Sequence, residues 1–497
     1  MSVWRVKPVS AFEDDMKKSD LKRVLTRWGL TSLGIGAIIG GGIFTLTGIA
    51  AHDYAGPALA LSFVIAGVGC LFASLCYAEF ASVLPVEGSA YAYAYGTVGE
   101  LFAWFIGWNL ILEYMMGATT VAVAWSGYFV KFLHLFGIEF PVWLCNDFAT
   151  ATEKVTAHNL DFPNELMSFP SFAFNLPAFV ITWIVTAILV KGIKEAASTN
   201  NIIVVIKVAV VLFVIIVGAM YINTDNWHPF IPDAIPALDK AGKATGEMKF
   251  GMHGVVTAAT IVFFAYIGFD AVSTQAGEAI NPKKDVPFAI IASLIICTIL
   301  YILVSLVLTG MVHYDKLDKA APVASAFSEN GLTWAVFIIT LAATAGLTSV
   351  MLVMMLGQTR IFLGMAKDGL LPSFFKDIHH KFKTPHRSTI LVGAIVSIVA
   401  ALTPIEKVSA MCSMGTLLAF AMVCIAVMML RYKKPELDRP FRTPAVYLVG
   451  TLGVSFNLFL MYFVRKETWI AFLIWGAIGI AVYFLYSKKR SNLEIKK

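Results

Sequence analysis

Charge is scarce in this chain. Asp, Glu, Lys and Arg together make up 14% of its 497 residues, whereas an ordinary soluble domain carries about 25%. That shortfall excludes a solvated globular surface of the usual kind. Cysteine is sparse too, six residues in all, five of them (Cys70, Cys76, Cys297, Cys412, Cys424) within apolar stretches and Cys145 alone outside them. No intrachain disulfide framework is expected from such a distribution. Residues 1–27 are charged and lack the apolar core of a cleavable leader. Metal-ligand spacing, a glycine-rich phosphate loop and a nucleophile elbow are all missing from the sequence. That argues against an enzyme, a bound metal or cofactor, and ATP-driven chemistry in this chain.

What the chain has instead is apolar length. It is 58% hydrophobic, with 37 Phe and a mean hydropathy of +0.76. Stretches of about 20 apolar residues are long enough to cross a bilayer as helices. Twelve occur, at 30–51, 55–84, 98–130, 172–190, 202–222, 255–276, 286–312, 333–365, 388–402, 405–430, 445–463 and 469–486. The fold class is therefore an all-α integral membrane protein embedded in a lipid bilayer. An even number of spans puts both termini on one side, and the loops on that side hold most of the 38 Lys and Arg. Under the positive-inside rule both termini are cytoplasmic, in the cell (plasma or inner) membrane. The net charge of +6 follows from this loop asymmetry and gives no reason to expect nucleic acid. The long external segment 131–171 has no role that the sequence discloses.

Two spans carry their own interruption: residues 34–44 (GIGAIIGGGIF) and 263–274 (FFAYIGFDAVST). In hydrocarbon, irregular backbone persists only where protein or a polar cavity satisfies its N–H and C=O groups. Interrupted segments in matching positions of two halves point to a substrate site at the membrane midplane. Here they open the first and sixth spans. A unit of five spans used twice must recur with opposite orientation, which predicts a 5+5 inverted repeat with two helices appended. The divisions are a cytoplasmic segment 1–29, a first repeat 30–222, a second repeat 223–430, and the last two helices with the tail at 431–497.

Each interruption offers its own chemistry. Gly40, Gly41 and Gly42 have no Cβ, so the backbone can leave the helix and present its N–H groups to a ligand. The half-helix that follows near Ile43 begins with unpaired donors and partial positive charge, suited to a carboxylate. Close helix packing is the competing reading of these glycines. In Phe264-Ala265-Tyr266-Ile267-Gly268 a half-helix ends, and its free carbonyls suit an ammonium. A simple kink is the competing reading there.

Four charged positions interrupt apolar runs. Lys207 lies about 8 Å into the fifth span at helical rise. Its amine can snorkel to the interface, or stay buried against carbonyls of the first span and exchange a proton during transport. Glu113, mid-way along the third span, can pair with a cationic substrate side chain or be a structural acid. Glu79 and Asp270 read as structural and are left outside the binding site.

GIGAIIGGGIF, CYAEFASVLPVEGSAYAYAY, FFAYIGFDAVST followed by NPKKDVPFAI, GQTR at 357–360 and GTLLAF from Gly415 together resemble the amino acid-polyamine-organocation superfamily. Within it they are similar to the bacterial, twelve-span members of the cationic amino acid transporter group. The resemblance implies a leucine-transporter-like fold and an L-amino acid substrate. It places the carboxylate on Ile38, Gly40, Gly41 and Gly42, and the amine on Phe264, Ala265 and Ile267. Glu113 and Met354 then line the side-chain pocket, and Lys207 stands where sodium-coupled relatives hold an ion. The chain departs from the family at Gly41, where a Ser or Thr is usual, so a hydroxyl contact is lost.

The expectation is a proton-coupled permease for cationic or small neutral L-amino acids, working by alternating access. An exchanger or a non-transporting sensor on the same fold are the alternatives. A small membrane partner subunit is not readable from the sequence, nor is the particular amino acid.

Overall fold

A computed structural model describes residues 5–7, 25–83, 89–157, 172–192, 196–238, 244–382 and 384–495. Parts of the expected N-terminal segment, the external segment 131–171, the linker at 191–201 and the stretch 84–88 within the quoted second motif lie outside those residues. Among the described residues, the longer helices are, in order, α1 Arg27–Ile38, α2 Leu59–Val83, α3 Glu100–His134, α4 Leu176–Lys191, α5 Ala196–Ala219, α6 Gly251–Val262, α7 Pro282–Met311, α8 Thr333–Lys367, α9 His386–Leu402, α10 Ile405–Lys433, α11 Val446–Tyr462 and α12 Lys466–Val482. Among the described residues, eight helical stretches are long and apolar enough to cross a membrane, and α4, α9 and α11 are shorter apolar helices.

Local chemistry sets the helix ends. Thr26 caps α1 by accepting from the Gly29 N–H at 3.2 Å. Asn175 caps α4 by accepting from Ala178 N at 3.2 Å, and Gly192, at φ 88°, ends it. Each cap satisfies a donor or carbonyl that the helix itself leaves unpaired. The stretch Gly42–Val83 is divided at Gly56, whose φ of 58° favours glycine, and Pro57, which has no N–H to donate.

Four packings organise the bundle. Helix α2 lies on α7, α3 on α8, α4 on α9, and the interrupted part of the first span on that of the sixth. Helix α10 packs against both α2 and α3. On one face, a two-stranded antiparallel sheet pairs β1 (Ile235–Leu238) with β2 (Ala244–Lys249). The chain enters α6 from β2 through Phe250, whose N–H donates to Tyr54 O at 2.9 Å.

At the other end of the bundle the two chain ends meet. Glu100, fully buried, accepts from Arg5 at 3.0 Å and from Tyr483 at 3.1 Å, and Ser491 also donates to it. Lys7 pairs with Asp368 at 3.2 Å, which accepts from Tyr91 at 2.8 Å as well. A buried carboxylate surrounded by donors is a strong tether.

Candidate substrate site at two broken helices

The first break comes where the glycines are. Helix α1 ends at Ile38, the chain bends at Ile39 and Gly40, and a wider helical turn, Gly42–Leu46, leads into Thr47–Ala50. In the sixth span, α6 gives way to a tight turn at Phe263–Tyr266, Ile267 is extended, and Gly268 sits at φ 121°, a conformation open to glycine. Beyond it the chain forms a 3-10 segment, Asp270–Glu278. Within it Ser273 donates to Asp270 O at 2.6 Å, a local bond of the kind that competes with a regular α-helix.

These two breaks pack into each other. A Cβ on Gly42 would collide with the Cα of Ala265, and one on Gly268 would stand 2.8 Å from Ala37 O. Only glycine permits that backbone approach. Gly41 differs, because a Cβ there would meet Ala124 Cβ at 3.4 Å, an ordinary contact.

Helices α3 and α8 supply the walls at helical spacing. Along α3, Glu113, Gly117, Val121, Ala124 and Tyr128 follow one another at steps of three or four residues and so share a face. Val121 and Ala124 flank Gly41, and Tyr128 donates to Phe44 O. Along α8, the same spacing aligns Gly346, Val350, Met354 and Gln358. Gly346 lies against Lys207, Val350 against Gly40 and Met354 against Gly117. The expected positions Gly40, Gly41, Gly42, Ile38, Ala265 and Met354 are thereby brought together. Phe264 and Ile267 are buried in the sixth-span break.

At the far end of the α3 face is a buried polar patch. Glu113 is fully buried, and among the described residues no donor reaches its carboxylate in full hydrogen-bond geometry. The Gln358 amide is likewise without such a partner, whereas the Asp270 carboxylate has the backbone N–H groups of Gly268 and Ala271 beside it. Thr416 faces Glu113, Tyr114 faces Asp270, and Glu113 and Asp270 lie close enough to interact. Cys412 of α10 donates to Glu113 O at 3.1 Å. Buried groups of this kind are costly unless a ligand, a proton or water satisfies them.

Lys207 does not reach the interface. It is 1% exposed, and its ammonium donates to Gly36 O at 2.7 Å, in the last turn of α1. Glu79 is a structural acid in this fold: Arg431 holds it through two bonds of 2.6 and 2.9 Å, and Thr443 N donates to it at 2.8 Å. No group of three or more His, Cys, Asp or Glu residues suited to a metal occurs among the described residues.

Sequence reasoning passed over Tyr301, Val350, Gln358 and Tyr128, and set Asp270 apart. The side chains of Tyr301, Val350 and Tyr128 are of types common anywhere in a membrane helix, and Gln358 lies within the GQTR stretch without being singled out there. Only the shared 3.6-residue period with Glu113 on α3 and Met354 on α8 could have picked out Tyr128, Val350 and Gln358.

Against known proteins, the family profile described as amino acid permease matches residues 25–485. The chain is 44% identical to the branched-chain amino acid permease BcaP of Bacillus subtilis (strain 168), over 96% of both chains. It is 42% identical to a methylthioribose transporter of the same organism, over 99% of both. A vacuolar cationic amino acid transporter 2 of Arabidopsis thaliana is 37% identical over 88% of this chain and 64% of that one. The chain is a multi-pass membrane transporter and belongs to the amino acid permease family.

Proposed function

We propose that this permease takes up L-amino acids by proton-coupled alternating access across the cell membrane, with both termini in the cytoplasm. The observation that carries the site is the meeting of two helix breaks at Gly42 and Ala265. It puts the donor end of one half-helix beside the acceptor end of another, the pair of partial charges that an amino acid zwitterion complements. The carboxylate is held by the N–H groups of Gly40, Gly41 and Gly42 with Ile38 beside them, and the amine by carbonyls at Phe264, Ala265 and Ile267. The side chain extends along α3 past Met354 toward Glu113. Lys207 is the group that gains and loses the transported proton.

The packing of α2 on α7, α3 on α8 and α4 on α9 supports a 5+5 inverted repeat with α11 and α12 appended, because each helix then faces its own counterpart. Arg5 and Ser491 meeting on Glu100 supports both ends of the chain lying on one face. The buried Glu113 carboxylate, which no donor among the described residues meets in full hydrogen-bond geometry, favours a substrate with a cationic or hydrogen-bonding side chain. The names of the two Bacillus relatives make leucine and methylthioribose the necessary competitors.

The test is uptake of labelled arginine, alanine, leucine and methylthioribose into proteoliposomes, with and without an inward proton gradient. Gradient-driven accumulation of an amino acid into empty vesicles is the expected result. Flux only into vesicles preloaded with amino acid makes the protein an exchanger, and preferred uptake of methylthioribose overturns the zwitterion reading.

A further inference from the structure

The carbonyls of Ile38 and Ala265, one from each broken span, converge on a single phenol. Tyr301, on α7 and fully buried, places its hydroxyl 2.8 Å from Ile38 O and 3.0 Å from Ala265 O. A phenol has one proton, so it donates to one of these carbonyls at a time. The other is left facing an oxygen. Its ring has little freedom to turn away, because its centroid lies 5.4 Å from that of Phe63 and 5.6 Å from that of Tyr266. The Tyr266 hydroxyl is already committed to Phe63 O at 2.7 Å.

We propose that Tyr301 is a positioning residue for the substrate's α-ammonium. Donating to one carbonyl, it fixes the spacing of the pair in the empty site. The remaining carbonyl and the phenol's own lone pair are then two acceptors aimed at one point. An ammonium carries three donors and no acceptor, and two of them fit that pair. Without the hydroxyl, the two carbonyl oxygens repel each other and the breaks of α1 and α6 lose their common reference. This inference rests on the reading that carbonyls of the broken spans receive the amine.

Tyr301→Phe keeps the ring and removes only the hydroxyl. In reconstituted protein, KM for the transported amino acid is expected to rise about tenfold, the effect of losing one charge-assisted hydrogen bond. Maximal flux should stay within about twofold, the signature of binding lost equally in ground and transition states. The melting temperature of the ligand-free protein should fall by no more than the loss of one buried hydrogen bond allows. An unchanged KM, whatever the flux or the melting temperature, makes Tyr301 merely structural. A lower KM means that the hydroxyl competes with the substrate. Either result overturns the proposal.

Two further measurements use the wild-type protein. The α-N-acetylated form of the same amino acid must compete poorly for uptake, and if it competes as well as the free amine, the carbonyl reading itself fails whatever Y301F does. Should Y301F not fold, the N,N-dimethyl amino acid replaces it. With one donor it reaches one acceptor only, so its KM must exceed that of the primary amine about tenfold, and equality overturns the role of Tyr301.

Discussion

The Lys207 ammonium and the Gly36 carbonyl are joined by a 2.7 Å hydrogen bond in the interior of the bundle. It ties α5 to the last turn of α1, two residues before Ile38 and the break. Val204, one turn away on α5, presses on Gly36 so closely that a Cβ there would collide with it. A charge at that place can change the position of the half-helix only by gaining or losing its proton. Lys207→Ala is therefore expected to abolish accumulation driven by a proton gradient while leaving substrate exchange between loaded vesicles. Counterflow and gradient-driven uptake measured on one preparation check this, and full accumulation by the variant removes the coupling role.

Glu113 gives the second prediction. Its carboxylate is buried, with Thr416 beside it and no donor among the described residues in full hydrogen-bond geometry, so a cationic side chain gains more from it than a methyl group does. Glu113→Gln keeps the volume and removes the charge. Arginine uptake should fall at least about tenfold relative to alanine uptake, the size of a charge-assisted bond. Equal loss for both substrates would mean that Glu113 serves the fold.

Those two residues were visible in the sequence because a single charge in an apolar run has few innocent explanations. The breaks were visible for a similar reason, since Gly40, Gly41 and Gly42 in succession and Gly268 beside aromatics both oppose a regular helix. Tyr301 was not visible. An aromatic residue on a transmembrane helix reads the same whether it faces lipid, a neighbour or a substrate, and its two carbonyl partners lie 263 and 36 residues away. The closeness of Asp270 to Glu113 and Tyr114 arises from the crossing of the third and sixth spans. Spacing along one span carries no trace of it.

The glycines separate by sterics into two predictions of very different size. Gly42→Ala places a methyl group on the Cα of Ala265, which is backbone and cannot swing aside. The two breaks must then part, and transport should fall by more than about tenfold, in keeping with the cost of overpacking a tight site. Gly41→Ser meets only ordinary contacts near Ala124 and Val121. It should keep uptake within about twofold and shift substrate preference through its new hydroxyl, since surviving hydrogen bonds decide such discrimination. Initial uptake rates of alanine, leucine and arginine for both variants check the pair, and equal damage from both refutes the steric distinction.

The last prediction concerns the face with the sheet, where Lys319 joins three elements. Its ammonium is 2.8 Å from Asp53 and 3.2 Å from Glu153, while Lys249, next to α6, is 3.6 Å from the same Asp53. The segment around it covers the first span, since Asp318 and Pro322 lie directly against Gly48. Burial works against the charge of Lys319, but the Asp53 and Glu153 carboxylates outweigh it and hold its pKa above the ordinary lysine value. A raised pKa in the folded state gives stability that is complete below the unfolded value of about 10.4 and lost as pH rises through the folded one. The cost of Lys319→Gln should therefore be the same at about pH 6 and pH 8, and should shrink only above about pH 10. Since Lys319 is a third exposed, that cost is on the order of 1 kcal/mol. Melting temperatures of wild type and variant across this range check the sign. A cost that falls between about pH 6 and pH 8 would show that a different group governs the cluster.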